Sequence, residues 1–171
     1  MRCVVFSNNK KKCLELQDLL KQLSIKVVGY KDVLGKTVDV VEDGATFEEN
    51  ALKKVAALAE LENDICIADD SGLEVECLNG EPGIYSARYG GEGLTDSQRC
   101  QFLLDNISEQ TNRAGQFKCV IALKLPGQRP QVFTGVCKGT LTYSPKGDMG
   151  FGYDPIFIPE GYNQTFAQLG N

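Results

Sequence analysis

A helical repeat that runs almost directly into an uninterrupted apolar stretch constrains this chain more than any other feature. Across residues 46–61, Ala51, Leu52, Val55, Ala56, Leu58 and Ala59 recur at the spacing of one helix face. Thr46 can cap that helix, and Glu49, three residues on, completes a capping-box pattern. Ile65-Cys66-Ile67-Ala68 then reads as a buried strand. The pairing recurs. Cys3–Phe6 reads as a strand, followed by a helical pattern in Cys13, Leu16, Leu19, Leu20 and Leu23, then a strand over 25–28 and a weaker one over 38–41. Thr95–Ile107 reads as a further helix. Residues 116–125 and 131–137 read as two strands joined around Pro126–Gly127, and 156–158 as a last short strand. Strands alternating with helices early, and a hairpin-like stretch late, predict an α/β fold with a mixed β-sheet flanked by helices. At 171 residues, without internal repeats or linker-like stretches, the expectation is a single domain over 1–171.

Charge and missing residue types narrow the chemistry. Lys plus Arg is 18 and Asp plus Glu is 23, a net charge of −5. An acidic chain lacks the basic face of sequence-independent DNA binding, so an anionic ligand must meet a local basic patch. There is no His and no Trp. Without His, Ser-His-Asp and Cys-His nucleophiles and imidazole metal sites drop out; carboxylates, Lys, Tyr, Cys and metal-bound water remain for proton transfer. The 7 cysteines are odd in number and none has Cys-x-x-Cys spacing. The opening apolar run is too short for a signal peptide, and no stretch approaches the ~20 apolar residues of a membrane span. These features predict a reduced, cytoplasmic protein, with no membrane and no nucleic acid among its partners.

Several segments concentrate functional chemistry. Ser7-Asn8-Asn9-Lys10-Lys11-Lys12 lies between a strand and a helix start, where free amides and lysines suit phosphate; a capped helix with solvated lysines fits the same residues. Asp69-Asp70-Ser71-Gly72 is expected at the C-terminal end of a buried strand, where α/β sheets bind ligands. Adjacent carboxylates repel, so a nearby cation is expected, and hard oxygen donors suit Mg²⁺. Glu49 is a capping acid or a second metal ligand. Lys54, five residues on, must reach a site independently. Gly150-Phe151-Gly152-Tyr153-Asp154-Pro155 sets aromatics beside glycines, which suits stacking on a flat base or a Gly-rich turn with core aromatics. Pro82-Gly83-Ile84-Tyr85-Ser86-Ala87-Arg88-Tyr89 is unusual, and Arg88 can serve a phosphate or an acid. A phosphate cradle, a metal-binding acid pair and an aromatic slot together describe a nucleotide site.

In this order, Ser7…Asn9…Lys12, Thr46-Phe47-Glu48-Glu49-Asn50-Ala51, Ala68-Asp69-Asp70-Ser71-Gly72-Leu73, the segment 82–89 and the segment 150–155 resemble the Ham1/inosine triphosphate pyrophosphatase family over essentially the whole chain. The resemblance implies an elongated mixed sheet flanked by helices, a homodimer, and Mg²⁺-dependent hydrolysis of ITP, dITP or XTP to the monophosphate and pyrophosphate. By position it implies that Ser7, Asn9 and Lys12 hold the triphosphate, with Lys54 nearby, and that Glu49 and Asp70 hold Mg²⁺. Asp70, beside Asp69, is the matching catalytic acceptor, and Ser71 contacts substrate. Phe151 stacks on the base, with Gly152, Tyr153 and Asp154 completing its slot. The family continues with a Lys-containing segment and a Ser-His-Arg motif that reaches the base; this sequence stops at Asn171, before that segment. A nucleotide-binding module without turnover, and a Maf-like pyrophosphatase for other nucleotides, are the alternative readings.

Overall fold

The computed structural model describes residues 2–7, 9–23 and 25–170; Asn8 and Asn171, named above, lie outside them. Six strands form: β1 (Arg2–Phe6), β2 (Lys26–Gly29), β3 (Ile65–Val75), β4 (Ala114–Lys124), β5 (Gln131–Leu141) and β6 (Phe157–Pro159). They make one sheet in the order β2-β1-β3-β4-β5-β6. The sheet is mixed. β1 is parallel to both β2 and β3, with Val4 opposite Val28 and Cys66. β5 and β6 are antiparallel, with Leu141 opposite Phe157. The helices are α1 (Lys10–Leu20), α2 (Tyr30–Leu34), α3 (Phe47–Ala56), α4 (Asp96–Asn106) and α5 (Phe166–Leu169).

The chain divides into two compact units, one up to Asp70 with Cys119–Thr134, the other Ser71–Lys118 with the chain from Gly135 onward. In the first unit, Cys3, Ile65 and Ile67 present one face of the sheet to Leu16 and Leu20 of α1, with Ile25 and Val27 alongside. In the second, Leu73 and Val75 pack against Cys100, Leu103 and Leu104 of α4, against Ile107 just past its end, and against Tyr153, Ile156 and Phe157. Each such side chain, fully buried, contributes ~1.5–3 kcal/mol, which mounts α4 firmly on its unit. Phe117 and Phe166 extend this core, their rings 4.8 and 5.5 Å from that of Phe157.

The structure corrects four expectations. Residues 38–41 form no strand: Val41 is exposed and the flanking residues are solvated, so no buried face drives pairing. The helix expected over 46–61 ends at Ala56, where the bonds tighten to i→i−3 through Leu58, Ala59 and Leu61. Leu19 and Leu23, counted in the first helix's apolar stripe, are exposed. Most consequentially, Asp69-Asp70-Ser71-Gly72 is no strand end. β3 runs unbroken from Ile65 to Val75, and both acids lie mid-strand. Gly72 is there for closeness rather than for a turn: a Cβ on it would sit 2.4 Å from both Gly83 O and Ser86 Oγ. Two short elements were not anticipated, α2, whose Tyr30 stacks on Phe6 at 4.4 Å, and α5, capped by Thr165 with Gln168.

Candidate active site

In the first unit the site is built on β3. Successive strand residues face opposite sides of a sheet, so neighbouring Asp69 and Asp70 part company. Asp69 shares the α1 face with Ile65 and Ile67, and its Oδ2 accepts from Lys12 Nζ at 2.5 Å. Asp70 points to the other face, where Lys54 Nζ and Asn50 Nδ2 of α3 donate to it at 2.8 and 3.1 Å. Lys54 Nζ also reaches Asp69 O at 3.1 Å and Glu42 at 3.0 Å. The repulsion expected of adjacent acids is thus relieved by alternation and by a lysine on each face. Both aspartates are about nine-tenths buried, and so is Lys54. Burial works against the Lys54 ammonium, but Asp70 and Glu42 outweigh it and hold its pKa above the ordinary lysine value.

Asn9 caps α1, its side chain accepting from the amides of Lys11 and Lys12 at 2.9 and 3.4 Å, and Ser7 Oγ accepts from Asn9 N at 3.1 Å. Ser7, Asn9 and Lys12 therefore form one continuous β1–α1 corner. Thr46 caps α3, accepting from Glu49 N at 3.1 Å. The Glu49 carboxylate accepts from Ala45 N at 2.8 Å rather than from Thr46, so the box pattern is half filled. Among the described residues, no group of three or more Cys, Asp or Glu side chains can cage a metal alone.

In the second unit, Ser71 continues β3 beyond Asp70, half-buried. The 151–154 segment is held largely by its backbone. Phe151 N donates to Asp154 Oδ2 at 2.8 Å, and Gly152 N to Asp96 Oδ2 at 2.8 Å. Tyr153 is buried and donates its hydroxyl to Ser86 O at 2.9 Å; burial pushes its phenol pKa up. Its ring is core. Phe151 remains half-buried. Ser86 Oγ in turn accepts from Leu73 N at 2.9 Å and donates to Gly83 O at 2.7 Å, tying 82–89 to β3. The Arg88 guanidinium lies 5.1 Å from the Tyr85 ring.

The Ham1 family model matches residues 3–171. The chain belongs to the Ham1 family. It is 46% identical to the dITP/XTP pyrophosphatase of Flavobacterium psychrophilum, over 99% of this chain and 87% of that protein. It is 42% identical to the dITP/XTP pyrophosphatase of Desulfotalea psychrophila, over 97% of this chain and 74% of that one. Among solved structures, the Ham1 protein of Staphylococcus aureus superposes with a TM-score of 0.87 at 42% identity, covering 100% of this chain and 88% of that one. The dITP/XTP pyrophosphatase of Mycobacterium abscessus superposes with a TM-score of 0.79 at 38% identity, covering 98% and 88%.

Two residues of this Ham1-family chain escaped the sequence reading. Asn50 is 1% exposed and bridges Asp70 to Gly44 N, which donates to its Oδ1 at 2.8 Å. A signal existed, since Asn50 and Lys54 are four apart on the buried stripe of α3, and polar residues on such a stripe need partners. Asp96 had none: a carboxylate in the first turn of a helix is ordinary on its own.

Proposed function

We propose that this chain hydrolyses deaminated purine nucleoside triphosphates (dITP, XTP and ITP) to the monophosphate and pyrophosphate, clearing them from the nucleotide pool. The observation that carries the reading is the pair of lysine–aspartate bridges on opposite faces of β3, in a chain whose relatives are dITP/XTP pyrophosphatases. Ser7, Asn9 and Lys12 would bind the triphosphate, with Lys54 neutralising charge beside it. Ser71 would contact substrate. Phe151 would stack on the purine, Gly152, Tyr153 and Asp154 shaping its slot.

Release of pyrophosphate requires water to attack the α-phosphorus opposite the leaving oxygen. Phosphoryl transfer needs positioning and charge neutralisation more than covalent chemistry. Asp70 is the proton acceptor for that water, and Asp69 holds Lys12 in place. Lys54 and Asn50 donate to the two oxygens of the Asp70 carboxylate and fix its orientation. The donor set fits Mg²⁺: Asp70 and Glu49 offer hard oxygens, and this ion is usually held by one or two carboxylates plus substrate phosphates. When bound it supplies charge neutralisation and lowers the pKa of coordinated water.

Discrimination against adenine follows from the 6-keto acceptor of hypoxanthine and xanthine, to which donors in a base slot bond and which adenine's amino group cannot match; guanine shares that oxygen, so its rejection needs another contact. The family resemblance supports a homodimer, and seven free cysteines support a reducing, cytoplasmic setting. Pyrophosphate release with Mg²⁺ from dITP, XTP, dATP, dGTP and UTP tests the reading. We expect dITP and XTP to lead. Binding without release would make the chain a nucleotide-binding module, and a lead for UTP would move it to other nucleotides.

A further inference from the structure

We propose that Asp96 and Cys100 of α4 are positioning residues for Phe151, gripping both polar groups of Gly152 and so aiming the Phe151 ring at the purine. This deepens the reading above and rests on its assignment of Phe151 to the base.

Asp96 and Cys100 are four residues apart and share a helix face. Asp96 Oδ2 accepts from Gly152 N at 2.8 Å, and Cys100 Sγ donates to Gly152 O at 3.2 Å. One helix turn thus holds the N–H and the C=O of a single residue, whose φ of +58° is left-handed and suits glycine. The Phe151 amide is held by Asp154 at 2.8 Å. The amide nitrogens on either side of the Phe151 Cα are therefore both anchored. Its Cα–Cβ direction is fixed by the backbone, and only side-chain rotation remains.

The mount is rigid. α4 carries a complete Thr95–Gln98 capping box, and Arg99 donates to the carbonyls of Tyr89, Gly91 and Leu94. Leu103, Leu104 and Ile107 anchor its far end in the core. The Cys100 thiol suits a donor's role rather than a nucleophile's. Burial, with Asp96 and Asp154 nearby, pushes its pKa up to about 12, so the proton stays on sulfur at neutral pH. Fixing the ring before substrate arrives removes an ordering cost from binding.

The test uses the full chain with Asp96→Ala and Cys100→Val, and the conservative partners Asp96→Asn and Cys100→Ser, which keep an acceptor and a donor. Three readouts apply: amide hydrogen exchange over 150–154, kcat and KM for dITP, and inhibition by inorganic tripolyphosphate, which has no base. In the first two variants we expect faster exchange, KM raised about 5- to 20-fold, kcat within about twofold, and unchanged tripolyphosphate inhibition, since only part of a base-stacking contact is lost. The conservative variants should restore KM. Faster exchange with unchanged KM overturns the proposal, as does loss of tripolyphosphate binding along with KM, which would mark general damage. If the unmodified chain turns over dITP and the variants keep its KM, the positioning role alone falls. If the unmodified chain releases no pyrophosphate, the functional reading falls and takes the positioning role with it.

Discussion

The two units hold their candidate site residues by opposite means. In the first, side-chain charges do the holding: Lys12 on Asp69, Lys54 on Asp70 and Glu42, Asn50 on Asp70. In the second, backbone groups are held by helix side chains and by the loop itself, as at Phe151, Gly152 and Ser86. A charged cluster presents strong, mutually paired groups to an anion and is sensitive to the loss of any one charge. A backbone-held loop presents a surface of fixed shape, and its failures are graded.

The difference can be broken from the charged side first. Asp70→Asn should lower kcat for dITP by about 10²- to 10⁴-fold, the usual contribution of a positioned proton acceptor, with the fold intact by circular dichroism. Activity within a few-fold of normal would remove Asp70 from the chemistry. Lys54→Met leaves the Asp70 charge buried without its lysine, and should cost roughly 3–5 kcal/mol of stability in urea titrations. Its pH dependence is specific. The Lys54 pKa is raised on folding, so the bridge contributes fully below the ordinary lysine value and is lost as pH climbs through the raised one. The stability gap between the two proteins should therefore be flat through neutral pH and close as strong alkali deprotonates Lys54.

From the other side, Phe151→Ala should raise KM for dITP by an amount worth ~1–3 kcal/mol, with kcat little changed and tripolyphosphate inhibition intact. A kcat collapse matching that of Asp70→Asn would erase the contrast between the units. The smallest effect belongs to Asp64→Asn. Arg2 donates to the Asp64 carboxylate at 2.8 and 2.6 Å and holds its pKa below the usual carboxylate range. That contribution is present above the ordinary carboxylate pKa and fades as pH falls through the lowered one. A slight loss of melting temperature at neutral pH that vanishes in strong acid is the expected signature.

Legibility in the sequence follows the same divide. β1, β2, α4 with its Thr95 cap, and β6 were readable because apolar period and capping chemistry are local. The lysines and aspartates were readable because their types imply anions and cations. Gly72 misled: Ser71–Gly72 has turn composition, yet the glycine serves contact with Gly83 and Ser86, which no local rule reveals. The opposed directions of Asp69 and Asp70 became visible only once the strand was known to run through them. The grip on Gly152 joins residues 56 apart through a backbone amide, and backbone groups leave no trace in residue identity.

The sulfurs carry a practical consequence. Burial raises the pKa of Cys3 to about 11, of Cys100 to about 12, and lifts Cys13, Cys66, Cys119 and Cys137 as well. At neutral pH the thiolate share at Cys3 is about one part in ten thousand, and at Cys100 smaller still. Iodoacetamide should label these positions slowly in the folded protein and quickly once urea opens it, so alkylation rate becomes a ready gauge of how intact a preparation is.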